Sequence, residues 1–168
     1  MAHALDLDPR WKALQAMGGV MDIGFDHPAE WTHMARGDQP FVKAGDDQLA
    51  SELCRFGDQR FICCTLSLAI RGSDEHVVLA IWAEVQHADF YAYVETFDGG
   101  PTPAPMVARL ASDLGGANAG DPALALSFES PEARPVAELS EVKDISLDHL
   151  LDLYEATGTL NRSDLKEK

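Results

Sequence analysis

The sequence predicts an α+β fold, a single domain with a mainly antiparallel sheet built from hairpins and flanked by short helices. Three observations carry this. Three β-prone runs, 52–56, 60–70 and 76–86, follow one another through turns short enough for hairpins. Helical patterns precede and follow them. Regular β-α-β alternation is missing, which weighs against a doubly wound nucleotide-binding fold.

The elements follow in chain order. Asp8-Pro9-Arg10-Trp11 reads as an N-cap with proline at the first helical position, and Gly18-Gly19 stops that helix. The stretch Phe25-Asp26-His27-Pro28-Ala29-Glu30-Trp31 reads as a turn into a second short helix, and 36–47, rich in Gly, Asp and Pro, as a surface loop. In the second β-run Ile62, Cys64, Leu66, Leu68 and Ile70 share one parity, as in a half-buried strand. Phe90, Val94 and Phe97 form one stripe of a helix over 88–97. Residues 107–114 stay open: Val107, Leu110, Ala111 and Leu114 have helical spacing, yet the flanking prolines and Gly115-Gly116 would equally bound a strand. Strands are expected over 123–129 and 134–139, joined through Ser130-Pro131. Ser146 then caps a helix whose Leu147, Leu150, Leu151 and Tyr154 make one apolar face, ended by Gly158. The domain is thus placed at 1–158, with a polar, frayed tail over 159–168.

Bulk properties bound the function. At 168 residues, with 46% hydrophobic and 24% charged, the composition is that of a globular chain with a core of useful size. The 28 acidic against 13 basic residues give a net charge of −15, which repels phosphate backbones and anionic lipid. Neither nucleic acid nor membrane is expected as a partner; a basic protein is the partner this charge suits. The three cysteines, Cys54, Cys63 and Cys64, lack the spacing of a disulfide scaffold. Asp6 and Asp8 sit where a signal peptide would be basic, so a cytoplasmic location is the expectation. The oligomeric state is not encoded in any pattern here.

Catalytic signatures are missing from the sequence. It contains neither GxxxxGK[ST] nor GxGxxG to cradle phosphate, no GxSxG elbow, and no CxxC or HExxH metal spacing. Gly115-Gly116-Ala117-Asn118-Ala119-Gly120 has no lysine to meet a phosphate. Cys63 and Cys64 are neighbours in a strand and so point to opposite faces, unable to grip one ion together. No cofactor and no metal is expected.

Two constellations remain. Trp82 and Glu84 share a strand face and, with Trp31, outline a candidate pocket. Core tryptophan is the structural reading, and a buried Glu84 needs a cation, for which Arg60, Arg71 and Arg134 are the candidates. Asp148, Asp152 and Glu155 fall at i, i+4 and i+7 opposite the terminal leucines, an acidic stripe that is either a solvated face or a docking surface.

Several runs resemble the bacterial domain of unknown function 2199. They are Ile23 to Trp31, Leu49-Ala50-Ser51-Glu52-Leu53-Cys54, Phe61-Ile62, Ile70 to Glu75 leading into Ile81-Trp82-Ala83-Glu84-Val85, Phe90, and Arg134-Pro135 with Leu139. The resemblance covers most of 23–157 and implies a bacterial source, one α+β domain and a cytoplasmic setting, but no chemistry. The N-terminal CxxC element found in many members is missing here, so metal binding does not carry over, and Cys63 stands where the family tends to have arginine, so no role of that arginine carries over either. The function expected is a non-enzymatic binding or interaction module; the alternative is a small-molecule-binding protein or enzyme with a pocket near Trp31, Trp82 and Glu84.

Overall fold

The computed structural model describes residues 4–114, 123–129, 134–139 and 144–165. After a 3₁₀ turn at Ala4–Leu7 come α1 (Pro9–Ala16), β1 (Ile23–Gly24), β2 (Phe41–Ala44), β3 (Asp47–Ala50), β4 (Leu53–Phe56), β5 (Gln59–Ile70) and β6 (His76–Val85). Then follow α2 (His87–Glu95), β7 (Met106–Leu110), β8 (Ala123–Ser127), β9 (Val136–Leu139), β10 (Asp144–Ile145) and α3 (Leu147–Ala156).

The β5–β6 hairpin is the centre of the molecule, pairing antiparallel from Arg60 against Val85 to Ala69 against His76. Its turn is closed by Ser73, whose hydroxyl donates to the Ile70 carbonyl at 2.9 Å and accepts from the Glu75 amide at 3.1 Å. Gly72 sits there at φ +88, and a Cβ on it would lie 3.2 Å from Leu5 Cγ. From this hairpin the sheet runs antiparallel through β7, β8 and β9, and β9 returns to β5 in parallel, with Thr65 beside Val136. Five strands thus close into a barrel.

The sheet is therefore mixed, where the sequence reading expected a mainly antiparallel one. Besides the closing pair, β1 lies parallel to β6 and β10 parallel to β5. The hairpin signals were local and antiparallel; the parallel pairings join segments far apart in the chain and leave no local trace. β5 borders β6 on one edge and, in succession on the other, β4, β9 and β10.

Alternation decides the cores. Ile62, Cys64, Leu66, Leu68 and Ile70 of β5, with Val77, Leu79, Ile81, Ala83 and Val85 of β6, enter one buried cluster with the inward residues of β7, β8 and β9. Trp11 and Leu14 of α1, Phe90 and Tyr93 of α2, and five residues of α3 complete it. The opposite parity, Phe61, Cys63 and Trp82, belongs to a second cluster with Trp31, Val42, Leu49, Cys54 and Ala111. Cys63 and Cys64 do point to opposite faces, one into each cluster.

Caps fix the helices as their sequences indicate. Asp8 accepts from the Arg10 amide at 2.8 Å with Pro9 first in α1, and Ser146 accepts from the His149 amide at 3.1 Å. Tyr154 of α3 is sealed into the core, its hydroxyl accepting from the Met21 amide and donating to the Met21 carbonyl.

Four local readings are corrected. No helix forms at 26–31; the Trp31 amide donates to the Pro28 carbonyl for a single turn, and Ala29 N–H is taken instead by the Ala111 carbonyl. The stretch 36–47 holds β2, which pairs around Gly45-Asp46 with β3 as a hairpin. The helix over 88–97 ends at Glu95 and tightens into 3₁₀ geometry, which turns Phe97 outward to 51% exposure and makes Tyr93 the second buried aromatic. The polar stretch after Gly158 folds back at Arg162–Leu165 and buries Leu165. Residues 107–110, left open above, are strand; the Ser130-Pro131 connection and the glycine-rich run at 115–120 lie outside the described residues.

Candidate functional site

The segment between β1 and β2 lies over the face of β5 and β6 that carries the second cluster. Phe25 N–H donates to the Ala80 carbonyl at 3.0 Å, and the Trp82 indole N–H donates to the Phe25 carbonyl at 2.8 Å. Trp31 closes the same layer with its indole N–H on the Met34 carbonyl at 3.0 Å. Two of the predicted residues, Trp31 and Trp82, thus share one core; they are 3% and 1% exposed, so each is a packing element before it is anything else.

Glu84 finds a cation, but none of the three expected. Arg109, its register partner on β7, donates from Nε to Glu84 Oε1 at 2.8 Å and also pairs with Glu30. Gln59 Nε2 donates to both carboxylates, at 3.2 Å to Glu30 and 3.3 Å to Glu84. The reason is that 107–110 is a strand, which places Arg109 across from Glu84. Of the arginines expected there, Arg60 caps the Gly57 and Gln59 carbonyls, Arg71 pairs with Asp144, and Arg134 pairs with Glu52. Glu84 is therefore a structural tie between the barrel and the Glu30-Trp31 segment.

Beside Trp82, toward the opposite end of this layer, a cleft of about 300 Å³ opens. Asp26, Arg36, Ser51, Cys63, Trp82 and Arg134 line it; Trp31 and Glu84 do not. Arg36 is fixed at both ends, its amide donating to Asp26 Oδ2 at 3.0 Å and Nη1 to the Gln39 carbonyl at 2.7 Å. Its Nε is buried without a hydrogen-bond partner among the described residues. Arg134 grips Glu52 in two-pronged fashion, Nε at 2.9 Å from one oxygen and Nη2 at 2.9 Å from the other. Burial pushes the Cys63 thiol up to about 11; Arg134 and Arg36 pull it down and Glu52 pushes it up further. A second cleft, about 210 Å³ and mostly apolar, lies between α2 and β3–β4 around Leu53, Phe90, Tyr91 and Val94.

The acidic stripe is paired within the chain. Asp148 meets Arg10 Nη1 at 2.5 Å, and Arg162 holds Asp152 at 2.6 Å together with Glu155. The stripe and the Trp82 region are separate features of the surface. Among the described residues no three His, Cys, Asp or Glu side chains gather as a metal site, and no helix is long and apolar enough to cross a membrane.

Sequence reasoning missed Asp26, Arg36, Ser51 and Arg134 as a group. Only their nearness in space unites them, since they come from three separate segments. Fold and cleft together define a small α+β protein with a five-stranded mixed barrel and a polar cleft outside it. The chain belongs to the family described as uncharacterized protein conserved in bacteria (DUF2199), whose sequence profile matches residues 15–150. No curated protein and no solved structure matches it.

Proposed function

We propose that this protein is a non-enzymatic binding module that holds a small molecule in the cleft floored by Trp82 and Cys63. The carrying observation is that Arg36, Arg134 and Ser51 line one concavity beside Phe25 and above the buried Trp82, a set of placed polar groups over a packed floor. Binding rather than catalysis is favoured by the state of its reactive groups. The Cys63 thiol, raised to about 11, is protonated near neutral pH, and the Asp26 carboxylate is engaged by the Arg36 amide.

Equilibrium dialysis of the full chain against a small-metabolite extract of a bacterium tests this, with Ser51→Trp as a variant that fills the cleft. Enrichment of a metabolite by the wild type and not by the folded variant supports the reading. Equal enrichment by both, or none by either, sinks it.

A basic protein docking on Asp148, Asp152 and Glu155 is the second reading, carried by the net charge of −15. It ranks lower because Arg10 and Arg162 already occupy those carboxylates. Replacing all three with Asn or Gln should slow association with such a partner at low salt, and an unchanged rate would remove the stripe from consideration.

A further inference from the structure

Resting on the binding reading above, we infer that the ligand of the cleft is a small anion, a carboxylate or phosphate ester with a flat apolar portion, which competes with Glu52 for Arg134. The charge balance is the first support. In a chain with 28 acidic and 13 basic residues, two of the arginines, Arg36 and Arg134, line one cleft, balanced there by Asp26 and by the Glu52 that Arg134 holds. Once a ligand displaces Glu52, two guanidiniums face one carboxylate, and a bound anion restores the balance.

Geometry supplies the second support. Arg36 lines the cleft with its Nη1 steadied on the Gln39 carbonyl at 2.7 Å. An anion is the acceptor that suits a guanidinium. Arg134 presents its Nε and Nη2 edge to the Glu52 carboxylate, which shows that the side chain sits ready for a planar, two-oxygen acceptor. Glu52 therefore acts as an internal stand-in for the ligand. Both arginines line the cleft together with Cys63. Half-buried Phe25 provides the apolar contact, packed over the buried Trp82, and the volume of about 300 Å³ restricts the ligand to a small molecule.

The competition gives the test its sign. Benzoate and phenyl phosphate serve as the carboxylate and phosphate probes and benzamide as the neutral one, each titrated into the full chain by calorimetry. At least one anion should bind saturably and benzamide should not. Arg36→Gln and Arg134→Gln should each weaken that binding by about tenfold or more, and Glu52→Gln should strengthen it by about tenfold. The gain in Glu52→Gln cannot be produced by a misfolded variant. Which anion binds more tightly assigns the headgroup. Benzamide binding as well as benzoate, indifference to the arginine substitutions, or no binding of either anion at millimolar concentration would overturn the inference. Enrichment of a neutral or cationic metabolite in the dialysis experiment would overturn the anion class while leaving the binding reading in place; no enrichment at all removes both.

Discussion

Glu84 on β6 stands directly across the ladder from Arg109 on β7, and the guanidinium that donates to it at 2.8 Å also holds Glu30 from the segment over the barrel. One cation thus offsets two carboxylates. Arg109→Ala should destabilise the fold by about 1–3 kcal/mol, because it leaves two half-buried carboxylates facing each other with only the neutral Gln59 amide to donate to them. Glu84→Gln should cost less, since the amide keeps a hydrogen bond with Arg109. Urea unfolding of the two variants checks the order, and a reversed order would mean that the pair is not the tie described.

Trp82 is 1% exposed and packs in the second cluster, so Trp82→Ala should cost roughly 3–5 kcal/mol. Trp82→Phe keeps most of the volume but loses the indole bond to the Phe25 carbonyl, which adds about 1 kcal/mol to its smaller packing loss. Denaturant midpoints separate the two. A near-neutral Trp82→Ala would show that the layer above the barrel contributes little to the fold.

Stability should fall steeply in alkali. Burial pushes Cys63 up to about 11, and Cys54 and Tyr93 to about 12 each, so the folded state holds protons that the unfolded chain has released. With more protons bound in the folded form, the stabilisation is complete below about pH 9 and drains away as pH rises toward 11 and 12. Urea midpoints across this range should decline, and Cys54→Ala should flatten the decline. An unchanged slope in that variant would place the titrating group elsewhere.

Asp8 caps α1, and its carboxyl is held below the usual range chiefly by the hydrogen bond from the Arg10 side chain. Asp8→Ala should cost about 1 kcal/mol at neutral pH. Because the folded form favours the ionised carboxylate, this contribution is present above the ordinary carboxylate range and is lost as pH falls through it. Wild type and variant should therefore converge in thermal stability at low pH; a constant gap would assign the effect to something other than the cap.

The parts of the fold that were legible are those whose cause is local. The alternation from Ile62 to Ile70, the caps Asp8 and Ser146, and the leucine face of α3 each state their geometry within a dozen residues. The β2–β3 hairpin was hidden because only Val42 and Leu49 in it are buried, too short an alternation to outweigh the surrounding Gly, Asp and Pro. The helix read at 26–31 failed because nonlocal bonds to Ala80, Ala111 and Trp82 hold that segment extended over the sheet. The site divides the same way. Trp31 and Trp82 were recognisable by residue type and do share a core, whereas Arg36 and Arg134 line one cleft only through the folding of distant segments, and no spacing in the chain announces that.

The closing contact of the barrel, Thr65 beside Val136, joins residues ~70 positions apart, while β5 and β6 need only a five-residue turn. The two events belong to different stages of folding. Hairpin formation is a local, microsecond-scale step, but the ring cannot shut until β7, β8 and β9 have lined up and returned. Until then the upper half of β5 keeps one edge unsatisfied, an open template for any other extended chain. Chain concentration during refolding should therefore govern yield more than temperature does, and the protein should recover best when diluted far enough that closure outruns encounter.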